Sequence, residues 1–291
     1  MREGRVEMAT GIEKVAVLGT GVLGSQIAFQ TAFKGFDVVA YDINDAALTA
    51  ARTRFEKLVS TYEKEVPGAA NGAASAAMQR LTLTTDLPVA ADVDLVIEAI
   101  PEVLELKKQT YAALNTLAPA KTIFATNSST LLPSDIKDST GRPDRFLALH
   151  FANRVWQFNT AEIMGTSATD PAVFQRVVDF AKAIGMVPIE MHKEKAGYVL
   201  NSLLVPFLNA AASLAAGGYA EPADVDKTWR IATGAPLGPF QMFDVIGLQT
   251  PYNIMAHGDA DAEKLAAWLK ANYLDKGKLG IASGEGFYKY N

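Results

Sequence analysis

Lys14–Leu18 (KVAVL) is a short apolar run that ends in Gly19-Thr20-Gly21-Val22-Leu23-Gly24, and a segment with helical spacing, Val22–Phe33, starts inside that turn. No other feature constrains the fold as much. The apolar run reads as a buried parallel strand, and a strand that enters a glycine turn and then a helix opens a βαβ unit. Gly19 permits the tight turn, Gly21 lets a pyrophosphate approach the backbone, and Gly24 lets helix and strand pack closely, with Val22 and Leu23 between them in the first helical turn. The helix N-terminus adds unpaired N–H groups and the positive end of its dipole, both favourable to phosphate. A bare G-x-G-x-x-G is a weak signal, because glycine turns recur for packing alone. Its position between strand and helix gives it weight.

The next strand, Asp37–Asp42 (DVVAYD), ends in a carboxylate 23 residues after Gly19. Asp42 can accept hydrogen bonds from an adenosine ribose. It would repel a 2′-phosphate, and Ile43 and Asn44 offer no Arg to counter that. NAD is therefore expected over NADP. Asp42 could instead cap the charged helix that follows, Asp45–Tyr62, but Asn44 or Asp45 is better placed for that task. No G-K-[ST] occurs, so a P-loop NTPase is excluded.

Further short strands are expected at Leu81–Thr84, Asp94–Glu98, Ile123–Thr126, Phe146–His150, Glu162–Met164 and Val187–Met191. Helices are expected near Leu104–Leu117, Ser134–Asp138 and Pro171–Ile184, and the small-residue stretch Pro67–Ala77 reads as a loop. Alternating strands and helices give an α/β fold of Rossmann type, a doubly wound parallel sheet. From Tyr198 onward the pattern is helical. The expected division is a nucleotide-binding domain at residues 8–193, followed by an all-α C-terminal domain at 194–291.

Composition removes whole classes of function. The 291 residues are 49% hydrophobic and 20% charged, enough for a large core and against disorder. The net charge is −5 with no long basic run, which argues against nucleic acid as a partner. There are no cysteines, so disulfides, Cys-ligated zinc, iron–sulfur clusters and thiol nucleophiles are ruled out, and no metal site is expected. The N-terminal residues carry charge with no apolar region behind them, unlike a secretory signal, and Met8 could be the natural start. Val199–Ala216 is apolar but holds Asn201, Ser202, Pro206, Asn209 and Ser213. A helix buried in a core or subunit contact is expected there rather than a membrane span, and the expected location is cytoplasmic.

Three histidines exist, His150, His192 and His257. His150 ends a predicted strand, at the edge where open α/β sheets bind ligands. Glu162 follows twelve residues later at the start of the next apolar run, so a strand, a turn and a returning segment can bring the two side chains together. A carboxylate on one imidazole nitrogen fixes the tautomer and frees the other to take a proton. Alcohol oxidation needs such a base as hydride leaves for a nicotinamide. A core histidine bonded to any near acceptor is the plainer alternative. Asn127-Ser128-Ser129-Thr130 follows another strand and reads equally as a ligand-binding edge or as a helix cap. Asn201, an amide in an otherwise apolar helix, either bridges helices internally or points into a cleft.

These segments resemble the short-chain L-3-hydroxyacyl-CoA dehydrogenase family (3-hydroxybutyryl-CoA dehydrogenase-like) from about Val15 to Tyr290. The matching stretches are GTGVLGSQIA (19–28), Asp42, VIEAIPE (96–102), IFATNSSTL (123–131), RFLALHFAN (145–153), AEIMGT (161–166), KAGYVLNSLLVPFLNAA (195–211), TGAPLGPFQMFDVIGL (233–248) and GEGFYKY (284–290). The last three lie in the second domain and have no role in a generic dinucleotide fold. The resemblance implies reversible NAD-dependent oxidation of an L-3-hydroxyacyl-CoA to the 3-oxoacyl-CoA, with short chains such as 3-hydroxybutyryl-CoA, in fatty acid metabolism. It implies His150 as general base, Glu162 as its orienting partner, Ser129 bonding the reacting oxygen and Asn201 helping to hold substrate. It also implies Glu102 and Lys107 near the nicotinamide ribose, Asn127 and Ser128 flanking that pocket, and a homodimer made through the helical domain.

The chain departs from the family pattern at His150-Phe151-Ala152-Asn153-Arg154, where relatives read His-Phe-Phe-Asn-Pro, and at Thr160-Ala161, where an aliphatic pair precedes the glutamate. Trp156 and Gln157 are also unusual. The serine and lysine expected to contact CoA have no clean counterpart in Arg52–Lys64, where Arg52, Arg54, Lys57, Ser60 and Lys64 either serve or form a solvated face. Arg154 could pair with a free carboxylate. Two alternatives therefore stay open: a dehydrogenase of a free 3-hydroxy acid, of carnitine or L-gulonate type, and a non-catalytic NAD-binding protein.

Overall fold

The computed structural model describes residues 10–290, so the expected domain ends at Met8 and Asn291 lie outside the described residues. The chain runs β1 (Lys14–Leu18), α1 (Val22–Phe33), β2 (Asp37–Tyr41), α2 (Asp45–Glu65), α3 (Ala73–Ala77), β3 (Leu81–Thr84), α4 (Leu87–Ala91), β4 (Leu95–Glu98), α5 (Leu104–Leu117), β5 (Ile123–Thr126), α6 (Pro133–Ile136), β6 (Phe146–Phe151), β7 (Thr160–Gly165), α7 (Pro171–Ala183) and β8 (Val187–Met191). One sheet takes the strands in the order β3-β2-β1-β4-β5-β6-β7-β8. Every neighbouring pair is parallel except β6 and β7. Only residues 152–159 join those two, too few for a crossover helix, so the chain returns antiparallel and modifies the all-parallel expectation at that point.

The central strands are apolar on both faces because helices cover both. Val15, Val17, Leu95 and Ile97 point into one core with Phe29, Phe55, Tyr62 and Phe180, the layer of α1, α2, α3 and α7. Ala16, Leu18, Val96, Tyr111, Leu114 and Phe146 fill the other, under α4, α5 and α6. Helix α2 buries Leu48, Ala51, Phe55, Leu58 and Tyr62, the i, i+3, i+4 spacing of one helical face. Its N-cap is Asn44, whose side chain accepts the Ala47 N–H at 2.9 Å. The stretch read as a loop contains α3, because Ala74 and Ala77 are small enough to bury fully in the first core.

The chain divides into two compact units, one through Tyr198 and one from Val199. Residues just before the division bond to the first unit: the Lys195 N–H donates to the Met164 sulfur and the Gly197 N–H to the Ser129 carbonyl. The second unit contains α8 (Leu200–Ala216), α9 (Pro222–Thr233), α10 (Pro239–Ile246), α11 (Gln249–Met255) and α12 (Ala260–Asn272). They pack around Leu208, Phe240, Phe243, Leu248 and Leu269. Two buried carboxylates pin its backbone. Asp226 accepts the N–H groups of Phe240 and Gln241 at the start of α10, and Asp244 accepts those of Phe287 and Tyr288. No helix among the described residues is long and apolar enough to cross a membrane.

Candidate active site

The glycine turn follows β1, Asp42 follows β2, Glu98 ends β4, Asn127–Thr130 follow β5 and His150 stands near the end of β6. Because these strands are parallel, all five positions share one edge of the sheet, the carboxyl edge. Glu162, near the start of antiparallel β7, reaches the same edge.

Gly19 has φ +89°, and a Cβ there would stand 2.6 Å from the Ala99 carbonyl oxygen. A Cβ on Gly24 would meet the Gly19 carbonyl oxygen, whereas one on Gly21 would find nothing within 4 Å. The turn is therefore closed by backbone at Gly19 and Gly24 and open at Gly21. Gly21 is also the N-cap of α1 and provides no side-chain cap. Val22 is exposed and Leu23 half-buried in that first turn. Asp42 is half-buried. Its Oδ2 accepts the Thr20 N–H at 2.8 Å and the Thr20 hydroxyl at 2.6 Å, and its Oδ1 accepts the Ile43 N–H. Lone pairs remain on Oδ1 for a ribose hydroxyl. An open cradle, an uncapped helix start and a carboxylate at the end of β2 fit a dinucleotide without a 2′-phosphate. Arg54 donates to the Thr20 carbonyl, while Arg52, Lys57, Ser60 and Lys64 lie on the solvent face of α2.

His150 and Glu162 are directly opposed residues of the β6–β7 ladder. Such pairs project side chains to one face within reach of each other. Glu162 Oε2 is 2.9 Å from His150 Nδ1, and Ser129 Oγ is 3.1 Å from Nε2. Both His150 and Glu162 are 4% exposed. A carboxylate only accepts, so Nδ1 carries the proton and Nε2 offers its lone pair to the Ser129 hydroxyl. The Tyr198 ring lies over the imidazole, with centroids 4.4 Å apart and planes 8° from parallel.

The Ser129 turn is held from below. Glu102 Oε1 accepts the Ser128 hydroxyl, the Ser129 and Thr130 N–H groups and the Thr130 hydroxyl. Burial alone would raise the Glu102 carboxyl. The Ser128 and Thr130 hydrogen bonds and the charge of Lys107 outweigh it and bring the pKa down to about 2. Lys107 is buried; its Nζ donates to Glu98 at 2.5 Å and to the Ile100 carbonyl at 3.3 Å, and lies 3.3 Å from Glu102 as an ion pair. Burial pushes the Glu98 carboxyl up, and Lys107 pulls it back only in part. Asn127 Oδ1 accepts the Phe151 N–H at 2.9 Å, tying the turn after β5 to β6. Asn201 stands in the first turn of α8, in the second unit.

The structure thus joins His150, Glu162 and Ser129 in one line and Glu102, Lys107 and Ser128 in another. Three residues of this edge escaped the sequence reading: Thr20, Glu98 and Tyr198. A carboxylate ending the apolar strand LVIE was the available signal for Glu98; nothing marked the other two. Among the described residues, no group of three or more His, Asp or Glu side chains stands together as a metal site.

Residues 14–195 match the family model described as "3-hydroxyacyl-CoA dehydrogenase, NAD binding domain", and residues 197–290 match "3-hydroxyacyl-CoA dehydrogenase, C-terminal domain". The chain is 35% identical to the mitochondrial hydroxyacyl-coenzyme A dehydrogenase of Rattus norvegicus, over 96% of this chain and 91% of that protein. It is 32% identical to a probable 3-hydroxybutyryl-CoA dehydrogenase of Bacillus subtilis, over 96% of this chain and 98% of that protein. A solved structure described as "Substrate-directed dual catalysis of dicarbonyl compounds by diketoreductase" is 65% identical, covers 96% of this chain and 99% of its own, and superposes with a TM-score of 0.94. The chain is an NAD-dependent oxidoreductase of the 3-hydroxyacyl-CoA dehydrogenase family.

Proposed function

We propose that this protein catalyses the reversible oxidation of a short L-3-hydroxyacyl-CoA, of the 3-hydroxybutyryl type, to the 3-oxoacyl-CoA. The observation that carries the reading is the line Ser129–His150–Glu162, with hydrogen-bond distances of 3.1 and 2.9 Å, at the carboxyl edge of the sheet. NAD, when bound, supplies the hydride acceptor. The Gly19–Gly24 turn and Asp42 hold its adenosine half, and Glu102, Lys107, Asn127 and Ser128 border its nicotinamide ribose. His150 Nε2 takes the hydroxyl proton as the carbonyl forms, and Glu162 stabilises the resulting imidazolium. The Ser129 hydroxyl keeps the reacting oxygen in line with Nε2, and Asn201 helps hold the substrate. The test is turnover of His150→Ala and Glu162→Ala beside NADH binding. A general base contributes ~10²–10⁴-fold, so each variant loses most turnover and keeps its NADH affinity; a loss below about tenfold removes the assigned role.

A second reading has a specific observation behind it. The 65% identical structure is described as a diketoreductase acting on dicarbonyl compounds, and this chain has Arg154 where the family pattern has proline. A free 3-oxo acid or diketone is then the substrate and CoA is not needed. Rates of NADH oxidation with acetoacetyl-CoA and with free acetoacetate, repeated with NADPH, separate the two readings.

The same proposal gives the nucleotide to residues 8–193 and substrate and dimer contacts to residues 194–291. Leu203, Tyr219 and Ile231, exposed at 69, 81 and 79% on the second unit, support a homodimer, which sedimentation equilibrium tests. A cytoplasmic location belongs to the proposal too, and cell fractionation tests it.

A further inference from the structure

We propose that Tyr198 is a positioning residue for the His150 imidazole, packing flat on the ring that Glu162 and Ser129 hold at its two nitrogens. The inference rests on His150 being the base. Glu162 and Ser129 hold the imidazole by its two nitrogens, Nδ1 and Nε2. The ring moves by rotating about its Cα–Cβ and Cβ–Cγ bonds, and hydrogen bonds, which tolerate some bending, oppose small rotations only weakly. A parallel aromatic face 4.4 Å away restricts those rotations.

Tyr198 is itself held to the turn it serves. Its hydroxyl donates to the Ser128 carbonyl at 2.8 Å, and the neighbouring Gly197 N–H donates to the Ser129 carbonyl at 3.2 Å. One side chain therefore touches the base with its ring and the Ser129 turn with its hydroxyl. The ring is 1% exposed and packs on Ala148 and Met164, in the two strands that carry His150 and Glu162. Its backbone adopts φ +51°, the left-handed region, directly after Gly197 at φ +82°. A bulky residue keeps that conformation only where its surroundings fix it, and such positions gather at functional sites. Here the strained turn is what aims the phenol ring at the imidazole.

The test compares Tyr198→Phe, which keeps the ring and loses the hydroxyl, with Tyr198→Leu, which loses the ring. Turnover is measured with NADH and the better of acetoacetyl-CoA and acetoacetate, beside NADH Kd and thermal melting. A misplaced catalytic group costs up to ~10²-fold. The expected result is a kcat loss of roughly tenfold to a hundredfold for Tyr198→Leu, with NADH Kd within about twofold of the parent and Tyr198→Phe within about threefold in kcat. If the Leu variant does not fold, Tyr198→Met, unbranched and closer in length, reads the same comparison. A folded Leu or Met variant losing less than about tenfold overturns the inference, as does a kcat loss matched by a parallel rise in NADH Kd. His150→Ala is run alongside. If it stays active, the base assignment and this inference fail together; if it is dead while Tyr198→Leu is active, the positioning role alone fails.

Discussion

A Cβ on Gly24 would stand 1.9 Å from the carbonyl oxygen of Gly19, so α1 and the turn after β1 meet backbone to backbone. Gly21, three residues earlier in the same turn, has nothing within 4 Å of the equivalent position. One substitution should then have two opposite effects. Gly24→Ala must push helix from strand and is expected to cost ~1–3 kcal/mol or more, seen as a lower urea midpoint. Gly21→Ala should leave that midpoint unchanged and weaken NADH binding, because its methyl occupies the approach of the pyrophosphate. A Gly21→Ala protein that binds NADH like the parent would move the pyrophosphate away from this turn.

The buried Glu98–Lys107 pair predicts a stability pattern. Taking one partner from a buried ion pair leaves an uncompensated charge, at a cost of ~3–5 kcal/mol. Lys107→Met should therefore be strongly destabilising at neutral pH, and less so as the pH falls, since burial already favours the protonated Glu98 carboxyl. The double variant Glu98→Gln, Lys107→Met should be more stable than Lys107→Met alone. Chemical denaturation at two pH values checks both statements. Additive losses in the double variant would mean that the two groups do not act as a pair.

Glu102 gives a pH window. Its carboxyl is lowered to about 2 from an ordinary value of 4.5. A group depressed in the folded state contributes stability that is complete above the unfolded value and is lost as the pH falls towards the folded one. Between about pH 4.5 and about 2 the unfolded chain takes up a proton that the folded carboxylate does not, so the stability that Glu102 gives the Ser128–Thr130 turn is lost over that window. Glu102→Gln should be less stable than the parent at pH 7 and should fall off less steeply between those limits, read from urea midpoints against pH.

Much of this architecture was legible because it is written in local patterns. The glycine turn, the short apolar strands and the helical spacing of α2 each follow from a few consecutive residues, and β6 and β7 were visible as two runs with a short connection. What sequence spacing could not give was register. That His150 faces Glu162, rather than a neighbour one residue along, depends on how residues 152–159 turn, and a slip of one would place the two side chains on opposite faces. Tyr198 was hidden for a related reason. It is 48 residues from His150 and meets it only because a left-handed turn, invisible to hydrophobic periodicity, sends the ring across the sheet edge. The Pro67–Ala77 stretch misled only in part: residues 67–72 are turn and loop, as their composition suggests, but Ala73–Ala77 form a helix because small residues bury there in a crowded core.

Arg154 is where the sequence leaves the family pattern, and the structure gives it a defined neighbourhood. It has φ +61°, its N–H donates to Gln26 Oε1 at 2.7 Å, and its guanidinium lies 3.1 Å from Glu65, at the end of α2. The Trp156 indole donates to the same carboxylate, and this bond, with Arg154, lowers the Glu65 carboxyl from its ordinary value. An exposed ion pair of this kind contributes only ~0–1 kcal/mol, so Glu65→Gln should hardly change the melting temperature. The guanidinium can therefore exchange Glu65 for an incoming carboxylate at little cost. If the substrate is a free 3-oxo acid, Arg154→Ala should raise KM for acetoacetate about tenfold or more, the size of a lost charge-assisted hydrogen bond, and leave any activity on acetoacetyl-CoA nearly unchanged. Equal effects on the two compounds, or none on either, would remove Arg154 from substrate recognition and leave the thioester as the better substrate class.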